Sequence, residues 1–178
     1  MFDFKNIFRA LKNRNYRLFF IGQGLSLVGT WMQQIALSWL VYRMTHSAFL
    51  LGVVGFAGQV PTFFASPLAG ILADRYPHRR ALVITQTLSI LQASLLAFLV
   101  ISQNITVWQI IVLSIFLGLI NGFDMPIRQA FTIEMVDDKE NLSNAIALNA
   151  SMVNLARLIG PSIAGVLIVT VGEGLCFL

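Results

Sequence analysis

Gly70-Ile71-Leu72-Ala73-Asp74-Arg75-Tyr76-Pro77-His78-Arg79-Arg80 decides the fold, because it crowds four Asp and Arg charges between two long apolar runs. Neither a strand nor a core helix needs such a junction. A membrane hairpin does, because charge enters hydrocarbon only at high cost and three arginines hold the loop on one side of the bilayer. The stretch therefore predicts a turn between two membrane-spanning helices.

The composition indicates the same environment. Hydrophobic residues make up 57% of the chain, charged residues only 11%, and the mean hydropathy is +0.77. Soluble domains are about 45–50% apolar and about 25% charged. The net charge of +4 comes from residues at helix ends and in short loops, so it indicates membrane topology rather than a nucleic-acid partner. One cysteine and two histidines in predicted loops give no reason to expect an internal disulfide, a metal site or another cofactor.

The apolar runs predict an all-α, polytopic membrane helix bundle. Each run is close to the length that crosses about 30 Å of hydrocarbon, and the predicted spans are 17–42, 48–72, 81–101, 106–124 and 143–170. The first run is too long for the core of a signal peptide and should stay in the membrane. Residues 1–15 form a basic segment with apolar residues at helical spacing, which predicts a helix on the membrane surface; a disordered leader is the alternative. Residues 16–178 form the transmembrane domain.

The positive charges predict the orientation. One side of the membrane receives ten of them: Lys5, Arg9, Lys12, Arg14, Arg17, Arg75, Arg79, Arg80, Arg128 and Lys139. The other side receives only Arg43, and Arg157 lies inside span five. This bias predicts a cytoplasmic N-terminus in the cell membrane.

The end of the sequence predicts a chain that continues. Residues 171–174 have the composition of a turn, and a new apolar run begins at 175 and stops at 178. Four residues are far too few to cross a membrane. We therefore expect a fragment truncated at the start of a sixth span.

Span one carries polar residues that a purely lipid-facing helix would not have. On a helical projection, small and polar residues fall within one arc of about 160°; they are Gly22, Gln23, Ser26, Thr30, Gln33, Gln34 and Ser38. Adjacent glutamines at mid-depth predict a bundle interior or a wet cavity, and hydrogen bonding between helices in a static bundle is the alternative. Asn121 and Asn154 join the candidate cavity-lining residues.

Small residues and prolines mark expected contacts and bends. Close helix contact is predicted at Gly52, Gly55, Gly58, Gly118, Gly122, Gly160 and Gly165. Bends are favoured at Pro61, Pro67 and Pro161, where backbone carbonyls lose their partners.

Charged residues within the spans are the candidate charge relay or substrate contacts. Asn121, Asp124 and Arg128 are three and four residues apart and share one helix face. Arg157 is expensive if left unpaired in the membrane. Asp124 or Asp74 is its simplest partner within the chain; a group outside the chain, the anion of a substrate and backbone carbonyls are the alternatives. Such a pair serves equally well as a transport relay or as a static clamp.

Several motifs together resemble the major facilitator superfamily, and within it the enterobactin-exporter-like subgroup. Gly70-x-Leu72-Ala73-Asp74-Arg75, with Arg79 and Leu82, is similar to the signature loop between spans two and three, although Pro77 replaces the family's glycine there. Gly160-Pro161-x-x-Ala164-Gly165 is similar to the span-five motif of exporters, with alanine replacing one glycine. The subgroup resemblance rests on four further stretches: Asn15–Phe19, Gly29–Gln33, Asp124–Ala130 and Ala145–Asn149.

The resemblance implies a twelve-span fold in two six-span halves, of which this chain covers five spans and the start of the sixth. It also implies proton-driven export of a small molecule, such as a siderophore or drug, by alternating access. In the family, the loop aspartate and arginines lock the halves together; Asp74, Arg75 and Arg79 take those positions, and Arg80 follows them. The Gly160-Pro161 element is linked to leak control. The proton site is Asp124 or lies in the missing half.

The alternatives belong to other functional classes. A truncated membrane remnant or partner subunit would bind another membrane chain without transporting anything. An intramembrane enzyme is disfavoured, because the sequence has no paired carboxylates at mid-membrane, no His/Glu metal set and no Gly-x-Ser-x-Gly nucleophile. The substrate itself is not encoded in a readable motif.

Overall fold

A computed structural model describes residues 10–73, 76–136 and 139–177. This part of the chain is all helical, as predicted. It contains five long helices, which are α1 Arg14–Thr45, α2 Ala48–Ala73, α3 His78–Ile101, α4 Val107–Glu134 and α5 Lys139–Thr170. Two short 3-10 helices, Ala10–Lys12 and Glu173–Phe177, flank them. The six-helix half is therefore not seen in the described residues, where a 3-10 helix follows α5.

Local sequence explains where several of these helices begin and end. The Asn13 side chain accepts hydrogen bonds from the backbone of Asn15 and Tyr16, which caps the start of α1. Thr106 and Gln109 form a reciprocal capping box at the start of α4. His46, which has a left-handed backbone conformation (φ 48°), caps the C-terminal end of α1 after Thr45. These caps satisfy backbone groups that the helix itself leaves unpaired.

Four of the five helices are long and apolar enough to cross a membrane: α2, α3, α4 and α5. Helix α1, with 32 residues, is also long enough to cross a membrane, but its composition is less apolar than that of the other four. The polar residues within it, three glutamines among them, lower its hydropathy. Helix α4 also differs from the predicted span four, because it continues to Glu134 instead of ending at 124. Pro126 lies inside it without ending it.

Glycines bring α2 and α4 into backbone contact. A Cβ atom at Gly118 would collide with the carbonyl oxygen of Gly58, and one at Gly122 would lie 2.6 Å from the Cβ of Ala65. The Thr62 hydroxyl donates to the carbonyl oxygen of Gly118 at 2.8 Å. This pairing is the small-residue contact expected for membrane helices.

The contact between α1 and α5 follows the same principle. A Cβ at Gly160 would lie 2.6 Å from the Cβ of Trp31 and 3.0 Å from the carbonyl oxygen of Val28. At one end of this helix pair, the buried Tyr16 hydroxyl donates to the carbonyl oxygen of Ala145 at 3.1 Å. Together these contacts fix the two helices side by side.

Three predicted contact glycines face open space instead. A Cβ at Gly52, Gly55 or Gly165 would meet nothing within 4 Å among the described residues. The period of three residues places Gly52 and Gly55 away from α4, while Gly58 reaches it. The sequence therefore gives the small residues correctly but not which of them face a helix neighbour.

The main apolar core lies at the end of the bundle where α1 ends, and a smaller buried cluster surrounds Tyr16 near the start of α1. Leu40, Val41, Leu96 and Ile110 are almost completely buried in the main core, and Cys176 and Phe177 of the second 3-10 helix pack against them. Arg43 forms an ion pair with the buried Glu173 at the edge of this core. The outer surface instead exposes large apolar side chains: Phe49, Phe56, Phe63, Phe64, Val83, Leu91 and Phe98. A surface of this kind is stable in lipid, not in water.

Candidate functional site

The Asp124 carboxylate is buried between α3 and α4. Asp124, a residue of α4, is only 4% exposed. Its carboxylate accepts hydrogen bonds from the Thr85 hydroxyl at 2.7 Å and from the Gln86 amide at 3.0 Å. The Arg128 guanidinium, one turn along α4, forms an ion pair with the other carboxylate oxygen at 2.9 Å. Arg128 therefore compensates the buried charge, as the four-residue spacing predicts.

The same network reaches α1. The Gln86 carbonyl oxygen accepts a hydrogen bond from the Ser26 hydroxyl at 3.0 Å, while the amide of the same side chain donates to Asp124. We call these five residues, Ser26, Thr85, Gln86, Asp124 and Arg128, the Asp124 network. The network joins α1, α3 and α4 through one carboxylate.

A second buried polar contact joins the same three helices, α1, α3 and α4. The Gln33 amide donates to the Gln92 carbonyl oxygen at 3.0 Å, and the Gln92 amide reaches the carbonyl oxygen of Leu113 at 3.4 Å. Gln33 therefore bonds between helices. Gln34 and Thr30 are exposed on another side of α1, and the Thr30 hydroxyl bonds back to the carbonyl oxygen of Ser26. The polar arc of α1 thus divides into a buried edge and an exposed edge.

Arg157 does not pair with Asp124. Its guanidinium lies over the Trp31 ring, 5.4 Å from the ring centroid, on an exposed part of α5. A cation held over an aromatic face is favourable, although the ring brings no negative charge. Each of the two residues has another partner close by. Asp124 already has Arg128 one turn away, while Gly160 brings Trp31 close to α5.

A cleft of about 830 Å³ opens between α1 and α3. Gln23 and Gln86 lie along it, so the cleft reaches a member of the Asp124 network. Arg79 and Glu134 also line it. Oε2 of Glu134 lies 2.7 Å from Nδ1 of the His78 ring. Phe19 and Phe131, stacked edge to face at 5.4 Å, belong to the same lining.

The family model that matches this sequence is that of the transmembrane secretion effectors of the major facilitator superfamily, over residues 6–178. The chain belongs to this family. It is also 35% identical over 153 residues to the staphyloferrin A transporter of Staphylococcus aureus, which covers 85% of this chain and 38% of that protein. No solved structure matches the sequence significantly.

Two further relatives of this chain have names that describe efflux or export. The macrolide efflux protein A of Streptococcus pyogenes is 22% identical over 88% of this chain and 39% of its own length. The enterobactin exporter of Shigella boydii is 28% identical over 88% of this chain and 38% of its own length. The chain thus spans less than two fifths of the length of these relatives. Membership of this superfamily and the four apolar helices identify an integral membrane protein.

The structure places the remaining candidate residues of this chain in different surroundings. Gly70 is exposed near the end of α2, Arg80 is exposed in the first turn of α3, and Arg79 lines the cleft. Asp74 and Arg75 lie outside the described residues. Asn121 is partly buried in α4; Asn154 is exposed in α5, where its amide donates to the carbonyl oxygen of Ala150. Pro161 follows Gly160 inside α5.

Sequence reasoning missed the partners of the site rather than its central residue. Thr85, Gln86 and Gln92 sit in an apolar helix, where each alone is unremarkable. Their spacing could have shown the pattern, because Thr85 and Gln92 are seven residues apart and share one face of α3. Trp31 was likewise noted only as part of a motif.

Proposed function

We propose that this chain is the N-terminal part of a secondary active transporter that exports a small molecule in exchange for protons by alternating access. The observation that carries the proposal is the Asp124 network, a buried carboxylate that bridges three helices. Ionisable groups within membrane helices are costly and mark proton or substrate paths. The names of the relatives, which include a macrolide efflux protein and an enterobactin exporter, support a small-molecule substrate.

Protonation of Asp124 supplies a physical reason for a change in helix position. A neutral carboxyl group loses its ion pair with Arg128 and accepts hydrogen bonds less strongly from Thr85 and Gln86. The helices α1, α3 and α4 then lose part of what holds them in this arrangement. A proton therefore favours one conformation over another, which is the requirement for coupling transport to a proton gradient.

The charged loop between α2 and α3 fits this scheme as a gate. Asp74, Arg75, Arg79 and Arg80 supply charges that another part of the protein can bind in one conformation only. Gly160 lies where α5 contacts α1, and in this scheme Gly160 and the following Pro161 keep the exporter sealed. The partners in this proposal are the lipid bilayer, the remaining half of the same protein, protons and a small-molecule substrate.

The experiment uses everted membrane vesicles that contain the full-length protein. ATP hydrolysis acidifies the vesicle interior, and the fluorescence of 9-amino-6-chloro-2-methoxyacridine follows the proton gradient. Addition of erythromycin, enterobactin or staphyloferrin A is expected to raise the fluorescence, as protons leave in exchange for the compound. Vesicles without the protein provide the control. If none of the three compounds moves protons or accumulates in the vesicles, proton-coupled export of this kind is wrong.

Orientation is a separate prediction. The ten positive charges on one side predict that the protein is integral to the cell membrane with its N-terminus in the cytoplasm. Alkaline phosphatase fused after Gln103 or Gly172 is expected to be active, and the same enzyme fused after His78 or Lys139 inactive. Green fluorescent protein at the same four positions should give the reverse pattern. An inactive phosphatase at Gln103 would show that α3 does not cross as proposed.

A further inference from the structure

Arg157 and Trp31 meet at the middle of the membrane domain. Each lies near the midpoint of its 32-residue helix, Trp31 in α1 and Arg157 in α5. Gly160, one turn beyond Arg157, leaves room for the Trp31 side chain against α5. The ring in turn lies under the guanidinium at 5.4 Å from its centroid. The tryptophan therefore orients the arginine without neutralising it.

No carboxylate in the described residues compensates Arg157. The described acidic side chains are Asp124, Glu134 and Glu173, and their ion pairs are with Arg128, His78 and Arg43 respectively. A guanidinium at the centre of a bilayer costs at least about 2.5–3.5 kcal/mol. The position therefore calls for an anion from outside the described part of the chain.

The surface around Arg157 is polar on one side, whereas Leu155 and Leu158 are exposed on another side of α5. Exposed polar side chains lie on the same side of α1 and α5: Thr30 and Gln34 flank Trp31, and Asn154 lies one turn before Arg157. The exposed part of α2, by contrast, carries Phe49, Phe56, Phe63 and Phe64. A polar surface at this depth faces water or another part of the protein, because lipid does not solvate amides.

We propose that Arg157, held by Trp31, is the anion-binding subsite of the transport cavity, and that the substrate is an organic molecule carrying a carboxylate. The planar guanidinium presents paired N–H donors that match the two oxygens of a carboxylate. The Gln34 side chain, which makes no hydrogen bond within the described residues, adds an amide at the same level. This inference rests on the proposed function, because the subsite requires a substrate cavity.

Selectivity for charge follows from this geometry. A neutral molecule of the same shape leaves the guanidinium uncompensated, and a cation is repelled by it. Trp31 is a positioning residue, because its ring acts on the guanidinium and not on the ligand. A substrate bound in this way neutralises Arg157 only while it occupies the cavity, so the loaded and empty states differ in charge at mid-membrane.

The test measures binding of benzoate and benzamide to the purified full-length protein by equilibrium dialysis of radiolabelled probes at neutral pH. The two probes have the same ring and differ in charge. Benzoate is expected to bind at least about tenfold more tightly than benzamide, as one charge-assisted contact implies. Arg157→Gln should remove this preference by weakening benzoate alone, and Arg157→Lys should retain part of it. Arg17→Gln, which removes an exposed charge near the start of α1, should leave both affinities unchanged.

The variants of Trp31 separate positioning from ligand contact. Trp31→Leu should weaken benzoate binding, and Trp31→Phe should restore most of it, since phenylalanine keeps an aromatic face. If benzoate binds no better than benzamide in the wild type, or if Arg157→Gln weakens both probes equally, the anion subsite is overturned. Failure of proton release in everted vesicles together with charge-selective benzoate binding would instead contradict the proposed export and leave this subsite intact.

Discussion

Replacing Asp124 by asparagine is expected to abolish substrate-driven proton release in everted vesicles of the full-length protein. Asparagine has nearly the same size and still accepts one hydrogen bond from Thr85 or Gln86, but it neither binds nor releases a proton. The acridine fluorescence described above provides the measurement. Normal proton release in Asp124→Asn, at unchanged abundance, would reduce the Asp124 network to a structural clamp.

The same variant leaves Arg128 without its anion, so it should also lower the stability of the protein. Removal of one member of a buried ion pair costs about 3–5 kcal/mol in comparable cases. The midpoint of thermal unfolding in detergent should therefore fall markedly. The double variant Asp124→Asn with Arg128→Gln removes both charges, and it should recover part of the stability but none of the proton release. Arg17→Gln is the matched control for loss of a single exposed charge.

Substitution of Gly118 by alanine is expected to separate α2 from α4. The added Cβ would overlap the carbonyl oxygen of Gly58, and a backbone atom cannot move aside as a flexible side chain can. Overpacking of this kind costs about 1–3 kcal/mol, and the shift would also strain the hydrogen bond from Thr62 to the carbonyl oxygen of Gly118. The yield of monodisperse protein after size-exclusion chromatography should therefore drop several-fold.

Gly55→Ala is the matched control for this prediction. It makes the same chemical change in α2, but its added Cβ would meet nothing within 4 Å in the described residues. The yield and unfolding midpoint of Gly55→Ala should stay close to those of the wild type. Equal losses in the two variants would show that glycine acts through backbone flexibility and not through the α2–α4 contact.

The sequence predicted the elements of this fold better than their contacts. Long apolar runs separated by charged loops indicate membrane helices. The all-helical bundle could therefore be predicted from hydropathy and from the charged stretch 70–80. The sequence also indicates that Asp124 and Arg128 share a helix face, because they are four residues apart. The ion pair between them follows from that spacing. Such signals are local and require no knowledge of packing.

Contacts between helices depend on rotation and tilt, which the sequence does not specify. Gly55 and Gly58 look equivalent in the sequence, yet only Gly58 faces α4. Gln86 reaches both Ser26 and Asp124 because three helices converge on it. The Arg157–Asp124 pair, one of the alternatives that the sequence left open, is not formed, because Arg128 lies one turn from Asp124 and Trp31 lies against Arg157.

The modest hydropathy of α1 also has a consequence for biosynthesis. Helix α1 leaves the ribosome before the other four long helices of the described residues, yet its contacts come from later helices: Gln92 of α3 for Gln33, and Gly160 of α5 for Trp31. Until those segments emerge, the glutamines of α1 have no such partners, and partition into lipid is correspondingly weak. We therefore expect the nascent α1 to remain beside the insertion channel until α3 and α5 have been translated. The helices of this bundle would then pack in an order that differs from their order of synthesis.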